Sequence, residues 1–88
     1  MVRKKVKITN KYGLHARPAN LLVKIASKFQ SAIQLAKDGY VVNAKSLLGV
    51  MSLAAEPGSE IEIIAEGTDE QAAVQAIEAL IMNKFEEE

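Results

Sequence analysis

The sequence predicts an α/β (α+β) fold, an open-faced β-sandwich with three helices on one face of a four-stranded antiparallel sheet. Two segments alternate apolar and polar residues, as half-buried strands do. An Asp-Gly pair joins two further strand-like segments, and two longer segments repeat apolar residues at helical spacing. The predicted order is β-α-β-β-α-β-α, with the second face of the sheet in water.

The first four elements follow from local patterns. The segment "VRKKVKIT" alternates, so we predict a first strand with Val6 and Ile8 on the side opposite Arg3. "SAIQLAKDGYVVNA" predicts two short strands joined by a tight turn at Asp38-Gly39. Between these regions, a helix is predicted from Ala16 to about Phe29, with a repeating apolar set of Leu21, Leu22, Ile25, Ala26 and Phe29.

The last three elements are predicted in the same way. Ser46 is a good N-cap for a short helix from Leu47 to Leu53. "SEIEIIAEG" alternates again and predicts the fourth strand. Thr68 and Gln71 stand at capping-box spacing before a long helix, whose apolar face is formed by Ala73, Val74, Ile77, Leu80 and Ile81.

Length and composition exclude several classes of protein. The 88 residues suffice for one domain over 1–88 and are too few for two. Eleven Lys and Arg balance eleven Asp and Glu, which argues against a binder of nucleic acid or membranes. The chain has no cysteine, no apolar run that could span a bilayer and no signal-peptide pattern, so a cytoplasmic location is predicted.

The only histidine, His15, lies in "YGLHARPAN" between a glycine and a proline. Pro18 fits the first turn of a helix, so a helix starting at Ala16 places His15 at or beside the N-cap. A residue before proline avoids helical angles, so distortion at Arg17 or a later helix start is the alternative.

A histidine at this position suits chemistry on an anion. The N-terminus of a helix attracts phosphate, and Arg17 adds a guanidinium that can hold two phosphate oxygens. The helix end also disfavours an imidazolium cation, which keeps a ring nitrogen available as a nucleophile. A polar capping or surface histidine is the alternative on spacing alone.

Other chemistries have less support. One histidine without cysteine, and without a carboxylate nearby in the sequence, does not predict a metal site, and no cofactor is predicted. A serine triad would need a pocket for which so small a domain has little room.

The two motifs "GLHARPA" and "NAKSLLGVMSL" together resemble the HPr family, the histidine-containing phosphocarriers of the bacterial phosphoenolpyruvate-dependent sugar phosphotransferase system. The resemblance extends over essentially the whole chain. It implies that Enzyme I, itself phosphorylated by phosphoenolpyruvate, transfers a phosphoryl group to Nδ1 of His15. The group then passes to IIA domains of sugar permeases, and Ala16 and Arg17 bind it in between. The protein would be a carrier and not an enzyme.

The resemblance also gives Ser46 a regulatory role, although the residue alone indicates only an N-cap. In many bacteria HPr kinase/phosphorylase phosphorylates this serine, and the modified form is a corepressor for the catabolite control protein. The following helix has more apolar residues than one buried face needs. We expect Leu47, Leu48 and Met51 to be partly exposed beside His15 as an apolar docking patch.

Three polar residues complete the expected partner surface. Lys24 and Lys45 could form its basic rim, although ordinary solvated lysines are nearly as plausible an interpretation. Asn20 stands where relatives usually carry a small residue and could contact partners. Ala54 replaces a glycine often seen after "MSL", which should favour the helix slightly.

Three other functions compete with the sugar-type carrier. A carrier of the nitrogen-related phosphotransferase branch shares the histidine motif, but "NAKSLLGVMSL" favours the sugar type. A purely regulatory homologue would lack the histidine. A reversible anion-binding module would bind phosphate without a covalent adduct. Nothing in the sequence requires more than a monomer.

Overall fold

Four strands and three helices follow one another in the predicted order in the computed structural model, which describes residues 1–86. Residues 87–88 of the predicted domain lie outside the described part. No helix within 1–86 is both long and apolar enough to cross a membrane. The elements are β1 (Val2–Lys7), α1 (Ala16–Ala26), β2 (Ala32–Lys37), β3 (Tyr40–Asn43), α2 (Leu47–Ser52), β4 (Glu60–Glu66), α3 (Glu70–Met82) and a 3-10 turn (Lys84–Glu86).

The strands form one antiparallel sheet in the order β1-β4-β2-β3. Val6 pairs with Ile61 and Leu35 pairs with Ile63, so apolar side chains from neighbouring strands share the inner face. The three helices cover this face, which confirms the predicted open-faced sandwich. The buried inner row consists of Val6, Ile8, Ile33, Leu35, Val42, Ile61, Ile63 and Ala65.

The outer face of the sheet is charged. Lys5 pairs with Glu62 and Lys7 with Glu60 across β1 and β4, and Nη1 of Arg3 lies 3.3 Å from Oε1 of Glu62. Exposed ion pairs of this kind contribute about 0–1 kcal/mol each. Their main consequence is that the basic and acidic rows neutralise each other along the wet face.

Two helix ends differ from the sequence prediction. α1 ends at Ala26, because the N–H groups of Lys28 and Phe29 bond three residues back and tighten the chain into a turn. The capping box at Thr68 and Gln71 is wrong. Asp69 is the N-cap of α3, and the carboxylate of Glu70 accepts the N–H of Gly67 at 3.0 Å.

Asp69 ties the start of α3 to the end of the α1–β2 loop. Its carboxylate accepts hydrogen bonds from the Ser31 hydroxyl and from the backbone N–H groups of Gln30 and Ser31. These hydrogen bonds hold the pKa of Asp69 below its ordinary value. The bond from the Ser31 side chain has the largest effect, and the bond from the Gln30 backbone has the next largest. The loop and the helix are therefore linked through an ionised carboxylate.

We expect Asp69→Asn to be less stable than wild type at neutral pH, with a difference that shrinks in acid. A carboxyl group whose pKa is lower in the folded state stabilises the fold above its unfolded pKa. That contribution disappears as the pH falls through the lower, folded value. Urea unfolding from pH 7 down to pH 2 measures the difference, and a constant gap between the proteins would contradict the linkage.

The expectation that Ala54 favours the helix is wrong. Ala54 follows the α2 C-cap, Leu53, and has φ +52, in the left-handed region where helices usually end on glycine. The alanine Cβ makes this conformation unfavourable. Two carbonyl groups at this helix end still receive hydrogen bonds, because Nζ of Lys37 donates to the carbonyls of Leu53 and Ala54 at 3.3 and 3.2 Å.

Ala54→Gly is therefore expected to raise the free energy of unfolding by about 0.5–1 kcal/mol, since glycine adopts this φ without the Cβ clash. Urea denaturation measures the change. An unchanged or lower stability would mean that the flexibility of glycine in the unfolded chain outweighs the relief.

Candidate functional site

A short, well-anchored loop leads into α1. The carbonyl of Asn10 accepts from the N–H of Gly13 at 3.3 Å, and Nδ2 of Asn10 donates to the carbonyl of Gly13 at 2.7 Å. The N–H of Leu14 donates to the carbonyl of Ala55 at 2.9 Å. At Gly13, with φ +70, an added Cβ would lie 2.5 Å from that carbonyl oxygen. Only glycine allows the loop to pack this closely.

His15 is the N-cap of α1. Its backbone is extended (φ −85, ψ −170), and its carbonyl accepts the N–H of Ala19 at 2.9 Å. The helix therefore begins at Ala16, and the later start raised by the Arg17-Pro18 pair does not occur. The imidazole is half-buried, and its Nε2 has less than 1 Å² of accessible surface.

The surroundings of His15 favour an anion. The first turn of α1 contains no acidic residue, so its partial positive charge is not compensated there. Ala16 and Arg17 are both exposed and lie in the first turn of the helix. Backbone N–H groups in a first turn have no acceptor within the helix. His15, Arg17 and the backbone donors of the first turn thus belong to one accessible helix end.

Tyr12 contacts His15, although neither sequence motif predicts this contact. The two ring centroids are 6.0 Å apart and the ring planes are perpendicular, at 89°. Nζ of Lys11 also lies over the Tyr12 ring, 5.3 Å from its centre. The sequence signal for this contact was an aromatic residue three positions before the only histidine. The signal was not sufficient, because the direction of the Tyr12 side chain depends on the turn at Gly13.

The second motif forms α2, which packs beside α1. Ser46 is its N-cap, as predicted, and its Oγ accepts the N–H of Gly49 at 3.1 Å. Leu47, Leu48 and Met51 retain 36, 83 and 40% of their accessible surface. These three side chains, called the α2 patch below, leave an apolar area uncovered on this short helix.

The three remaining predicted site residues have different environments. Asn20 is exposed, and its Nδ2 donates to the carbonyl of Ala16 one turn earlier, at 3.2 Å. Lys24 is exposed in the last turn of α1, about 13 Å along the axis from His15. Lys45 is partly buried, and its Nζ donates to the carbonyl of Phe29 at 2.7 Å. The Lys45 ammonium is thus held against the segment that follows α1.

Comparison with known proteins agrees with the site. Residues 2–83 match the family model described as PTS HPr component phosphorylation site. The phosphocarrier protein HPr of Treponema pallidum is 57% identical over the full length of both chains. The HPr-like protein Crh of Bacillus subtilis is 48% identical over 96% of this chain and 99% of its own length.

The fold agrees as well. A crystal structure of HPr from Thermoanaerobacter tengcongensis superposes with a TM-score of 0.97 at 50% identity, covering 100% of this chain and 99% of that one. The geometry around the histidine, the family match and this superposition lead to one conclusion. The chain belongs to the HPr family of the phosphotransferase system, whose members are phosphocarriers and not enzymes.

Proposed function

We propose that this protein accepts a phosphoryl group from phosphorylated Enzyme I on Nδ1 of His15 and transfers it to IIA domains of sugar permeases. The observation that carries the proposal is the burial of Nε2 of His15 at an accessible helix N-terminus. A donor protein cannot reach a nitrogen with less than 1 Å² of accessible surface. Nδ1 is then the only ring nitrogen left to act as acceptor.

The proposed transfer requires no further reactant. The Nδ1 lone pair forms a bond to phosphorus, the bond from phosphorus to Enzyme I breaks, and its electron pair remains with the donor. The N–H groups of Ala16 and Arg17 and the Arg17 guanidinium neutralise the charge on the phosphoryl oxygens. Phosphoryl transfer depends mainly on such positioning and neutralisation, so a shallow site is sufficient.

Intact mass after incubation with phosphoenolpyruvate, magnesium and Enzyme I tests the proposal. Wild type should gain one acid-labile phosphoryl group, whereas His15→Ala should gain none. Ser46→Ala is the matched control and should behave as wild type, because it retains the acceptor. Failure of wild type to gain mass would reject this function and leave a reversible anion-binding module. Equal labelling of His15→Ala would also reject it, because the acceptor would then be another residue.

The proposed docking surface is the α2 patch, which an acidic partner would cover while Lys24 and Asn20 contact its rim. The exposure of Leu48 supports this role, since the buried centre of an interface is more apolar than its rim. Lys45 would also belong to the basic rim, with its ammonium held in place by the hydrogen bond to the carbonyl of Phe29. Leu48→Glu should weaken binding to Enzyme I in calorimetry, whereas Met82→Glu, at an exposed apolar position on α3, should not.

Ser46 is proposed as a regulatory site for HPr kinase/phosphorylase, whose product would bind the catabolite control protein. Its Oγ would form a bond to the γ-phosphorus of ATP while ADP leaves and the hydroxyl proton is lost. The product adds about −1.5 to −2 charges beside the α2 patch and repels an acidic partner. Acid-stable phosphate on wild type and none on Ser46→Ala is the expected result. Equal labelling of the two proteins would remove Ser46 from the proposal.

The nitrogen-related branch is the second candidate, and "NAKSLLGVMSL" favours the sugar type. Faster labelling by the Enzyme I of the nitrogen branch would reverse this preference. His15 argues against a purely regulatory homologue. The proposed carrier is a cytoplasmic monomer. Sedimentation velocity tests its size, and a dimer would contradict the monomer.

A further inference from the structure

We propose that Tyr12 is a positioning residue for His15, whose ring holds the imidazole in the orientation that accepts a phosphoryl group. This inference rests on the proposed carrier function and concerns the same site. Its basis is the perpendicular contact between the two rings, with centroids 6.0 Å apart. Perpendicular aromatic pairs are attractive, because the positive edge of one ring meets the negative face of the other.

The backbone of Tyr12 is fixed by the turn that contains it. The carbonyl and the side-chain amide of Asn10 both bond to Gly13, closing the turn on either side of Tyr12. Asn10 is fully buried, and Gly13 is packed against the Ala55 carbonyl. A rigid turn therefore presents the Tyr12 ring, which favours a specific contact over a chance one.

Packing in the hydrophobic core does not explain the position of the Tyr12 ring. Tyr12 keeps 67% of its accessible surface, so it buries little apolar area in the fold. The contact that the ring makes with His15 restricts rotation of the imidazole about its Cβ–Cγ bond. Because Nε2 is on the buried side, the restriction keeps the edge that carries Nδ1 in its accepting orientation. Without the ring, the imidazole would spend less time in that orientation.

The experiment compares Tyr12→Ala and Tyr12→Phe with wild type, using phosphoramidate and phosphorylated Enzyme I as separate donors. With phosphoramidate, Nδ1 bonds to phosphorus, the phosphorus–nitrogen bond breaks and ammonia leaves. This donor has no protein surface, so its rate reports on the imidazole alone. Tyr12→Ala should be slower by roughly 2- to 10-fold with both donors, the range that a lost aromatic pair implies. Tyr12→Phe keeps the ring and should retain the wild-type rates.

A spectroscopic readout separates positioning from general loss of structure. The ring current of Tyr12 shifts the NMR signals of the His15 ring protons, so these signals should move in Tyr12→Ala and remain in Tyr12→Phe. Met82→Ala, which removes a side chain of similar exposure on α3, should change neither the signals nor the rates. Amide spectra of all variants check that the fold is intact.

Three outcomes would overturn the proposal. Wild-type rates in Tyr12→Ala would remove the role, and a slow Tyr12→Phe would assign the effect to the hydroxyl. A defect seen only with Enzyme I would make Tyr12 a partner contact. If wild type accepts no phosphate from Enzyme I, the carrier function fails, but the phosphoramidate rates and the ring-proton signals still test the contact with His15.

Discussion

Phe85→Ala is expected to lower the free energy of unfolding by about 3–5 kcal/mol, the usual cost of truncating a buried phenylalanine. Phe85 is among the largest fully buried side chains, although it lies in the 3-10 turn after α3. Lys84, Phe85 and Glu86 all have φ near +55 to +65 (54, 56 and 64). Each such residue costs about 1–2 kcal/mol, so burial of the Phe85 ring must hold the turn. The expected loss is a large part of the stability of a small domain, commonly about 5–15 kcal/mol.

Urea denaturation gives the size of this effect, and amide hydrogen exchange locates it. The N–H of Glu86, which bonds to the carbonyl of Asn83 at 3.0 Å, should exchange much faster in Phe85→Ala, because the left-handed turn is no longer held. Met82→Ala removes an exposed side chain at the end of α3 and should cost little. A loss below about 1 kcal/mol for Phe85→Ala would contradict the proposed role of the ring.

Gly13→Ala is expected to cost about 2–4 kcal/mol and to slow phosphoryl acceptance. Two effects add at this position, because alanine is strained at φ +70 and its Cβ would lie 2.5 Å from the carbonyl oxygen of Ala55. The loop would have to move away from residues 55–57. Tyr12 and His15, which flank this point in the chain, would move with it.

Gly58→Ala separates the two effects, because Gly58 has φ +92 but, beyond its two chain neighbours, no residue has an atom within 4 Å of an added Cβ. It should show only the backbone cost of about 1–2 kcal/mol. Thermal unfolding of both variants, with acceptance rates from phosphoramidate, measures the difference. Equal stabilities and wild-type rates for the two variants would mean that the contact at Ala55 does not fix the loop.

The local signals in the sequence identified most elements correctly. Asp38 and Gly39 both have positive φ, the geometry of a two-residue hairpin turn, and the turn was predicted from the pair itself. Pro18 and Ser46 likewise located the starts of α1 and α2, because each residue type has a position-specific role in a first helical turn. These predictions depend on neighbouring residues in the chain, which the sequence displays directly.

The N-cap of α3 and the effect of Ala54 were predicted wrongly for one reason. Thr68 has the spacing of a capping residue, but the Asp69 carboxylate is bound by Ser31 and Gln30 from a distant loop. At Ala54, packing of the chain after α2 imposes a positive φ that alanine does not prefer. Contacts between segments far apart in the sequence overrode the local preference in both places.

The sequence by itself determined the order of the elements, the inner and outer rows of the sheet and the histidine at a helix N-terminus, because periodicity and capping are local properties. The tertiary structure decided which nitrogen of His15 is buried, that Tyr12 contacts the imidazole, and that Phe85 belongs to the core. Each of these depends on how separate segments pack, since a side chain's direction and burial are set by its neighbours in space.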